Sequence, residues 1–418
     1  MRRLIYTAAH GGFSGLGVPL GGGATISDWL VEEWRRTCDV VIDLITPSIL
    51  GASAPSGRDI AAFNERDYAR FCIAFSQAVT RRILSEDPSQ CTVLVNDISE
   101  APDFARLGSA GFRIVTIYHV DVVDYIAAIY CKGRVSAATL ARAWELVRPA
   151  AAGLAPPMLK LIFERQRDSL IHSHRVVVPS SRMKTVLLHA YPNTPEDRID
   201  VVAWGVRPDQ APEAEVAREL EFIRNEYGLD PGRATVVCLS RISPEKGQDL
   251  LLEGLIELER QGAFRDSPPH LLICGAPAFM RGQAQMDLLR KLSARLARVR
   301  VHFPGHVTGA RKLAMLRAAW VYAFPSRHES YGLTLAEALA EGLPCVAFEQ
   351  AGAAEIIDSG QGVLVQAGTG GAARFASEVA ALLADQPRRQ VLSARARQWA
   401  QINRFERAAA RIASIPGF

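Results

Sequence analysis

A strand–loop–helix–strand unit at residues 321–348 constrains the fold more than any other stretch of this sequence. The apolar segments Val321–Phe324 and Cys345–Phe348 have the length and composition of buried strands, and a helical stretch separates them. Gly332 precedes that helix, and a residue without a Cβ lets a ligand approach the backbone. Because a helix start carries unpaired N–H groups and a partial positive charge, this loop predicts a phosphate site.

Two carboxylates flank the predicted helix start. Glu329 lies in the loop, and Glu337 lies about one turn into the helix. Carboxylates on the two sides of a bound phosphate can accept hydrogen bonds from hydroxyl groups on each side, which suits a sugar nucleotide.

The stretch from Glu329 to Glu337 resembles the E-x7-E motif of retaining GT-B glycosyltransferases, closest to the GT4 family, also called glycosyl transferases group 1. The resemblance implies that Glu329 contacts the donor sugar and that Glu337 contacts the ribose. It also implies that the donor is bound by the residues between them: Ser330, Tyr331, Gly332 and Leu333.

Two cations lie on another predicted strand-to-helix loop. Arg241 and Lys246 follow an apolar strand at 234–239, and Gly247 closes the loop. An arginine offers a planar fork to two oxygens and a lysine offers a compact charge, so both can hold one diphosphate. The loop resembles the diphosphate clamp of the same family, which implies that Arg241 and Lys246 stabilise the departing nucleotide.

Two further strand ends complete the predicted donor site. Gly275 ends the strand at 270–275, and Val307 follows the strand at 299–303. In the family these positions surround the nucleobase, so the resemblance implies that Gly275 and Val307 bind the donor.

The N-terminal residues predict a βαβ opening, with strands at 3–8 and 40–45, a helix at 28–36 and a glycine-rich segment at 11–25. A dinucleotide fingerprint does not fit this segment, because Leu20 occupies the third glycine position, and no Gly-Lys-Ser/Thr follows. The family resemblance instead implies that three glycines donate backbone N–H groups to the donor diphosphate: Gly21, Gly22 and Gly23.

Polar residues follow two other strands of this half. His119 ends a strand at 113–118, and residues at the carboxyl ends of parallel strands face the ligand crevice. The resemblance implies that His119 lies beside the anomeric centre of the donor sugar and is catalytic. Asp97 and Glu100, at the preceding strand end, and Asp121 are candidate acceptor contacts, although Asp121 could instead cap the next helix.

Length and alternating strands and helices predict an α/β protein of two or three domains. The resemblance implies a GT-B fold, in which two Rossmann-like, doubly wound parallel-sheet domains face a central cleft. We expect an acceptor-binding domain at 1–207 with a helical insertion at about 122–172. A nucleotide-sugar-binding domain is expected at 208–395. A C-terminal helix at 396–418, part of a long helical segment at 388–412, should pack back on the first domain.

Composition excludes several classes of protein. The chain is 49% hydrophobic and 22% charged, as in soluble globular proteins, and no apolar run reaches the ~18–20 residues of a membrane span. The sequence has no basic run interleaved with aromatic residues, so nothing in it favours nucleic-acid binding. The seven cysteines form no C-x-x-C pair, which favours free thiols in a cytoplasmic protein. A net charge of +4 is compatible with peripheral contact of the protein with the inner face of a membrane.

The sequence therefore predicts a retaining glycosyltransferase that moves a hexose or N-acetylhexosamine from a nucleoside-diphosphate sugar to an acceptor hydroxyl. We expect no cofactor and no metal, since no Asp-x-Asp motif occurs, and a UDP-sugar is favoured over a GDP-sugar. The acceptor could be a sugar, a metabolite or a lipid-linked glycan, and the protein a monomer or a homodimer. Two alternatives stay open: a non-catalytic nucleotide-sugar-binding protein and a hydrolysing UDP-sugar 2-epimerase.

Overall fold

The computed structural model describes residues 2–12, 21–151, 155–208, 210–278, 281–357 and 360–418. The chain divides into two compact units. The first unit comprises Met1–Trp204 and the C-terminal Glu406–Phe418, and the second comprises Gly205–Phe405. Each unit contains one parallel sheet of six strands flanked by helices, so the α/β prediction with two doubly wound domains is confirmed.

The sheet of the first unit has the strand order β2-β1-β3-β4-β5-β6, with every neighbouring pair parallel. The order reverses between β1 and β3, and a ligand crevice forms at such a switch point in open α/β sheets. The strands are β1 (Arg2–Thr7), β2 (Val40–Ile45), β3 (Thr92–Val95), β4 (Arg113–Ile117), β5 (Arg175–Val178) and β6 (Ile199–Val201).

The helices of the first unit cover this sheet and bury an apolar core that includes Phe75, Phe104 and Val93. They are α1 (Gly22–Thr37), α2 (Gly57–Ala62), α3 (Glu65–Leu84), α4 (Phe104–Ser109), α5 (Val122–Tyr125), α6 (Ala137–Ala151), α7 (Pro157–His172) and α8 (Ser181–Ala190). In the predicted insertion, Trp144 and Phe163 stack with ring centroids 5.1 Å apart, so these aromatics pack in the core.

The sheet of the second unit has the order β12-β11-β10-β7-β8-β9, again all parallel. This is the dinucleotide-binding order 3-2-1-4-5-6, and its switch point lies between β7 and β10. The strands are β7 (Thr235–Leu239), β8 (His270–Cys274), β9 (Arg300–Gly305), β10 (Val321–Phe324), β11 (Cys345–Phe348) and β12 (Gly362–Val365).

The helices of the second unit enclose a core that includes Leu251, Val321 and Phe375. They are α9 (Glu213–Tyr227), α10 (Gln248–Arg260), α11 (Gly282–Ser293), α12 (Gly309–Ala318), α13 (Leu333–Ala340), α14 (Ala351–Ile356), α15 (Gly371–Ala384) and α16 (Gln386–Ile402). The last helix of the chain, α17 (Phe405–Ala413), enters the first unit at Glu406.

The C-terminal segment differs from the single long helix expected at 388–412. It forms α16 and α17, because the backbone at Arg404 leaves the helix and bridges to Val206. Within the first unit, Trp34 of α1 anchors α17: its Nε1 donates to the carbonyl of Ala409 at 2.9 Å, and its ring meets Phe418 at 4.6 Å. The first unit thus includes the end of the chain from Glu406, and the boundary after β6 falls at Trp204.

Two other expectations concern helices and thiols. No helix among the described residues is both long and apolar enough to cross a bilayer. All seven cysteines are free, and five of them are buried.

Candidate functional site

Two loops meet at the switch point of the second sheet. Residues 240–247 follow β7, and residues 325–332 follow β10. They approach so closely at Gly247 (φ 63°) that a Cβ there would lie 2.0 Å from the carbonyl oxygen of Pro325. The predicted cations and the predicted sugar-binding carboxylate are therefore brought to one place by the strand order.

A pair of charged side chains fixes the second loop to the first turn of α10, directly after the first loop. The guanidinium of Arg327 binds both carboxylate oxygens of Asp249, at 2.8 and 2.6 Å, and also donates to the carbonyl of Pro244 at 2.8 Å. The backbone N–H of Arg327 donates to the carbonyl of Glu245 at 2.8 Å. We call Arg327 and Asp249 the loop clamp. A bidentate pair of this kind adds geometric specificity as well as energy.

Lys246 and Glu329 form an ion pair across these loops, in which Nζ donates to Oε1. Their side chains are only 12% and 15% exposed, so the pair is shielded from water and salt. The backbone carbonyl of Glu329 accepts from the N–H of Gly352 at 3.1 Å, which fixes the main chain that carries the carboxylate. The structure thus brings together two of the predicted catalytic residues.

Arg241 joins the same group through Glu245. Its Nη2 lies 3.6 Å from Oε1 of Glu245, which also accepts from the hydroxyl of Ser243 at 2.6 Å. Burial alone would raise the pKa of Glu245, but the charges of Arg241 and Lys246 outweigh it and hold that pKa below its usual value. Glu245 therefore stays ionised and orients Arg241. The sequence analysis did not single out Glu245, although it lies between the two cations in the chain.

The N-terminus of α13 lies on the same loop. Gly332 adopts φ 105° before the helix begins at Leu333, a conformation that favours glycine. The hydroxyl of Ser330 is buried and makes no hydrogen bond with another described residue. Tyr331 is 4% exposed, and its hydroxyl accepts from the N–H of Gly205 at 2.8 Å. Ser330 and the helix start can therefore donate to a ligand, whereas Tyr331 supports the backbone.

Glu337 lies farther along α13 and has its own cation. Nζ of Lys312 on α12 is 3.0 Å from Oε1 of Glu337, and both side chains are almost buried, at 12% and 14% exposed. Sequence reasoning missed Lys312, since nothing in its helix distinguishes it from other surface lysines. Only the tertiary contact identifies it as the residue that pairs with Glu337 and orients it.

The two predicted base-binding residues follow neighbouring strands. Gly275 follows β8, and a Cβ there would lie 1.9 Å from the carbonyl oxygen of Ser240, so only glycine fits beside the cation loop. Val307 follows β9 and is 6% exposed. Gly275 and Val307 both lie at the carboxyl edge of the second sheet, as do the ion pairs Lys246–Glu329 and Lys312–Glu337.

In the first unit, polar side chains gather at the switch point between β1 and β3. Nδ1 of His10 lies 3.4 Å from Oδ1 of Asp97, and Nε2 lies 3.7 Å from Oε1 of Glu100. Tyr68 donates its hydroxyl proton to Glu100. Burial would raise the pKa of Asp97, but His10 holds it below the usual value, whereas burial keeps the pKa of Glu100 raised. His10 was missed because it follows a strand without a recognisable motif.

His119 lies beside this cluster at the end of β4. Its Nε2 is 2.9 Å from Oδ1 of Asn96, and its ring stacks on Trp204 at 5.5 Å. A Cβ on Gly23 would lie 3.2 Å from the His119 ring, so the start of α1 packs against it. Burial lowers the pKa of His119 to about 4, so the imidazole is neutral at physiological pH.

The other predicted residues of this unit have different surroundings. Gly21 (φ 99°) caps α1 and Gly22 begins it, so α1 starts before the predicted helix at 28–36. Residues 13–20 of the glycine-rich segment lie outside the described residues. Asp121 is 1% exposed and caps α5, accepting from the N–H of Asp124 at 2.9 Å and from Gln166 at 2.8 Å. Asp121 therefore caps a helix, as the sequence allowed, and its role as an acceptor contact stays a prediction.

Substituting His119 by glutamine is expected to flatten the acid dependence of stability. The folded-state pKa of about 4 lies below the unfolded value near 6.5, so the unfolded chain takes up the proton first as pH falls. His119 therefore subtracts stability progressively between pH 6.5 and 4 and not above it. Urea unfolding of wild type and His119→Gln at about pH 7 and 4.5 measures the difference. An equal loss of stability in both proteins would contradict a buried, neutral His119.

No group of three or more histidine, cysteine, aspartate or glutamate side chains in the described part of the chain is arranged to hold a metal ion. Arg241 and Lys246 carry positive charge at the switch point of the second sheet. Such charge can stabilise a phosphate leaving group directly.

Comparison with known proteins gives the class of the second unit. Residues 219–399 match the family model described as Glycosyl transferases group 1. A D-inositol 3-phosphate glycosyltransferase of Gordonia bronchialis is 33% identical over 220 residues, 52% of this chain and 46% of that protein. A GDP-mannose-dependent alpha-(1-6)-phosphatidylinositol monomannoside mannosyltransferase of Mycobacterium tuberculosis is 33% identical over 218 residues, 50% and 52% of the two chains. The chain spans about half the length of these curated relatives.

The fold is shared over nearly the whole chain. The crystal structure of Anabaena Alr3699/HepE in complex with UDP-glucose superposes with a TM-score of 0.66 at 17% identity, and covers 99% of this chain and 98% of that one. The fold is therefore the GT-B fold, as the sequence predicted. Residues 219–399 match the glycosyl transferases group 1 model, and the chain as a whole shares the GT-B fold.

Proposed function

We propose that this protein is a retaining glycosyltransferase that moves a hexose or N-acetylhexosamine from a nucleoside-diphosphate sugar to an acceptor hydroxyl without a metal ion. The observation that carries the proposal is the group formed by Arg241, Lys246 and Glu329 at the switch point of a group 1 domain. Two cations and a helix start can hold a diphosphate, while the carboxylate beside them accepts hydrogen bonds from sugar hydroxyls.

The proposed reaction breaks the bond between the anomeric carbon and the diphosphate oxygen and forms a bond from the acceptor oxygen to the same carbon. The nucleoside diphosphate leaves with the bonding electrons, and its departing oxygen takes up the proton that the acceptor hydroxyl loses. Arg241, Lys246 and the N-terminus of α13 stabilise the negative charge that develops on the leaving phosphate. Glu329 orients the sugar, and Glu337, held by Lys312, binds the ribose.

The roles in the first unit follow from the same resemblance. Neutral His119 is proposed to donate a hydrogen bond to, or accept one from, a donor-sugar hydroxyl near the anomeric centre, and the Gly21–Gly23 turn to contact the diphosphate. Asp97 and Glu100 are proposed to bind acceptor hydroxyls. Their contacts with His10 support this, because carboxylates held in fixed positions bind hydroxyl groups well.

The donor nucleotide is proposed to be UDP rather than GDP. The Anabaena neighbour was solved with UDP-glucose, whereas the Mycobacterium relative is named for GDP-mannose, so both nucleotides belong in the same test. A lipid-linked acceptor and peripheral membrane contact are part of the same proposal, as the mycobacterial relative is named for a phosphatidylinositol mannoside.

A nucleotide-sugar screen tests the function. Ligands that bind only the folded state raise the melting temperature, by an amount equivalent to about 2.7 kcal/mol at a hundred times Kd. We expect UDP-sugars to raise it more than GDP-sugars, with the same result in EDTA. Mass spectrometry of reactions with candidate acceptors should then find a glycosylated product. NMR should show that the transferred sugar in this product has the same anomeric configuration as in the donor.

The controls separate the proposal from its alternatives. Binding without turnover across the acceptor panel would favour a non-catalytic sugar-nucleotide-binding protein. Release of a free 2-epimer would favour an epimerase. A product with inverted configuration, or activity abolished by EDTA, would contradict the retaining or the metal-independent part of the proposal.

A further inference from the structure

A separate cavity opens at the amino-terminal edge of the second sheet, opposite the edge that carries the candidate donor loops. It has a volume of about 510 Å³ and lies near the amino-terminal ends of β10 and β11, where Trp320 and Leu343–Pro344 precede the strands. The candidate donor loops follow the carboxyl ends of the strands, so this cavity is not part of that site. Its volume is within the roughly 300–1,000 Å³ of small-molecule sites.

The cavity carries more positive than negative charge. Three arginines line it, Arg317, Arg389 and Arg397, whereas Glu341 is the single carboxylate among its described lining residues. That carboxylate is already bound by Arg317, whose Nε lies 2.8 Å from it and whose Nη1 also binds Glu213 at 2.6 Å. Arg317 is thus bound by two carboxylates, whereas Arg389 and Arg397 form no ion pair with another described residue.

Arg389 lies over an aromatic ring. Its Cζ lies 4.6 Å from the centroid of the Trp320 ring, and its Nη1 donates to the carbonyls of Leu382 and Leu383 at 2.6 and 2.7 Å. Its Nε and Nη2 make no hydrogen bond with another described residue. Burial lowers its pKa, which the charge of Asp385 only partly opposes. The guanidinium is thus held between the ring and the two carbonyls with donors still available.

Arg397 lies against the turn after α13. Gly342 in this turn has φ 75°, and a Cβ there would lie 2.6 Å from both Cζ and Nε of Arg397. Within the described part of the chain, Arg397 forms no hydrogen bond or ion pair. The glycine therefore makes room for the guanidinium beside the cavity.

Nearby negative charge balances these two cations without using all of their donors. The carboxyl ends of α13 and α15 lie near Arg397 and Arg389, and each helix end carries about half a negative charge. The charge of Asp385 acts on Arg389 as well. What the cavity offers an anion is therefore the set of N–H donors on Arg389 and Arg397 that no described residue uses.

We propose that this cavity binds a small phosphate monoester, such as a sugar phosphate. Two guanidinium groups on one cavity can form the paired hydrogen bonds that a phosphate accepts. Ser393 and Gln390 also line the cavity and can bond to hydroxyl groups on the remainder of the ligand. All of its lining residues belong to the second unit, and its volume suits a small molecule rather than a macromolecule.

Titration of the purified full chain with glucose 6-phosphate, inorganic phosphate and glucose tests the proposal by calorimetry. We expect glucose 6-phosphate to bind, inorganic phosphate to bind more weakly and glucose not to bind. Lys246→Ala should bind glucose 6-phosphate as wild type does, because the donor loops are not involved. Arg397→Met should weaken binding by about tenfold or more, as expected for a lost bond to a charged group.

Arg290→Met is the matched control, since Arg290 is an exposed arginine on α11 of the same unit and does not line the cavity. It should bind as wild type does. Because Arg397 is exposed, Arg397→Met should retain the wild-type melting temperature. Weaker binding by a variant with that melting temperature is then a local effect at the cavity. Three results would overturn the proposal: no binding of glucose 6-phosphate at millimolar concentration, unchanged affinity in Arg397→Met, or loss of binding in Lys246→Ala.

Discussion

Replacing Lys246 by alanine is expected to reduce sugar transfer by about 10²–10³-fold, as for the loss of other preorganised charge-stabilising groups. The variant loses a cation beside the leaving phosphate and leaves Glu329 largely buried without its ion-pair partner. Glu329→Gln should reduce transfer as well, since the sugar loses a charged acceptor. The measurement is kcat/KM with the best donor of the nucleotide-sugar screen, alongside the melting temperature.

The pair is also tested as a unit. Because Lys246 and Glu329 are in direct contact, their effects should not add, and Lys246→Ala/Glu329→Gln should cost less than the sum of the single variants. Lys291→Ala is the control, as Lys291 is an exposed lysine on α11. Near wild-type turnover in a folded Lys246→Ala protein would remove Lys246 from the mechanism and with it the proposed diphosphate clamp.

Gly247→Ala is expected to destabilise the second unit and to abolish donor binding. The new Cβ would lie 2.0 Å from the carbonyl oxygen of Pro325, so the cation loop must move away from the loop that carries Glu329. The residue also has φ 63°, where alanine is strained by about 1 kcal/mol. We expect a total loss of stability of about 3 kcal/mol or more, in the range of other strained or overpacked positions.

Gly228→Ala separates the two causes. Gly228 has nearly the same backbone conformation, φ 60°, at the end of α9, but a Cβ there would meet no atom within 4 Å. This control should lose only about 1 kcal/mol and keep donor binding. Urea unfolding and calorimetric titration with the donor measure both properties. Equal effects of the two substitutions would show that backbone strain, and not the contact between the loops, makes Gly247 necessary.

Much of the second unit could be predicted because its chemistry is local in the chain. Arg241, Lys246 and Gly247 share one loop, and Glu329, Gly332 and Glu337 share one strand–loop–helix unit, so spacing alone relates them. The periodic apolar strands likewise predicted the sheets. These features follow from short-range rules of strands, turns and helix starts.

The partners of these residues could not be predicted, because they come from distant parts of the chain. Lys312 reaches Glu337 from another helix, and Arg327 reaches Asp249 across 78 residues. His10 meets Asp97 only because β1 and β3 are neighbours in the sheet. A single sequence does not reveal such contacts, since many surface lysines and arginines have the same local surroundings.

The loop clamp has a thermodynamic consequence for any donor. Arg327 and Asp249 immobilise the loops when the chain folds, so their conformational entropy is lost before a ligand arrives. A nucleotide sugar then has only its own torsional and translational freedom to give up. Affinity for the donor in this unit thus depends partly on Arg327 and Asp249, although the charged groups of these two side chains bind each other.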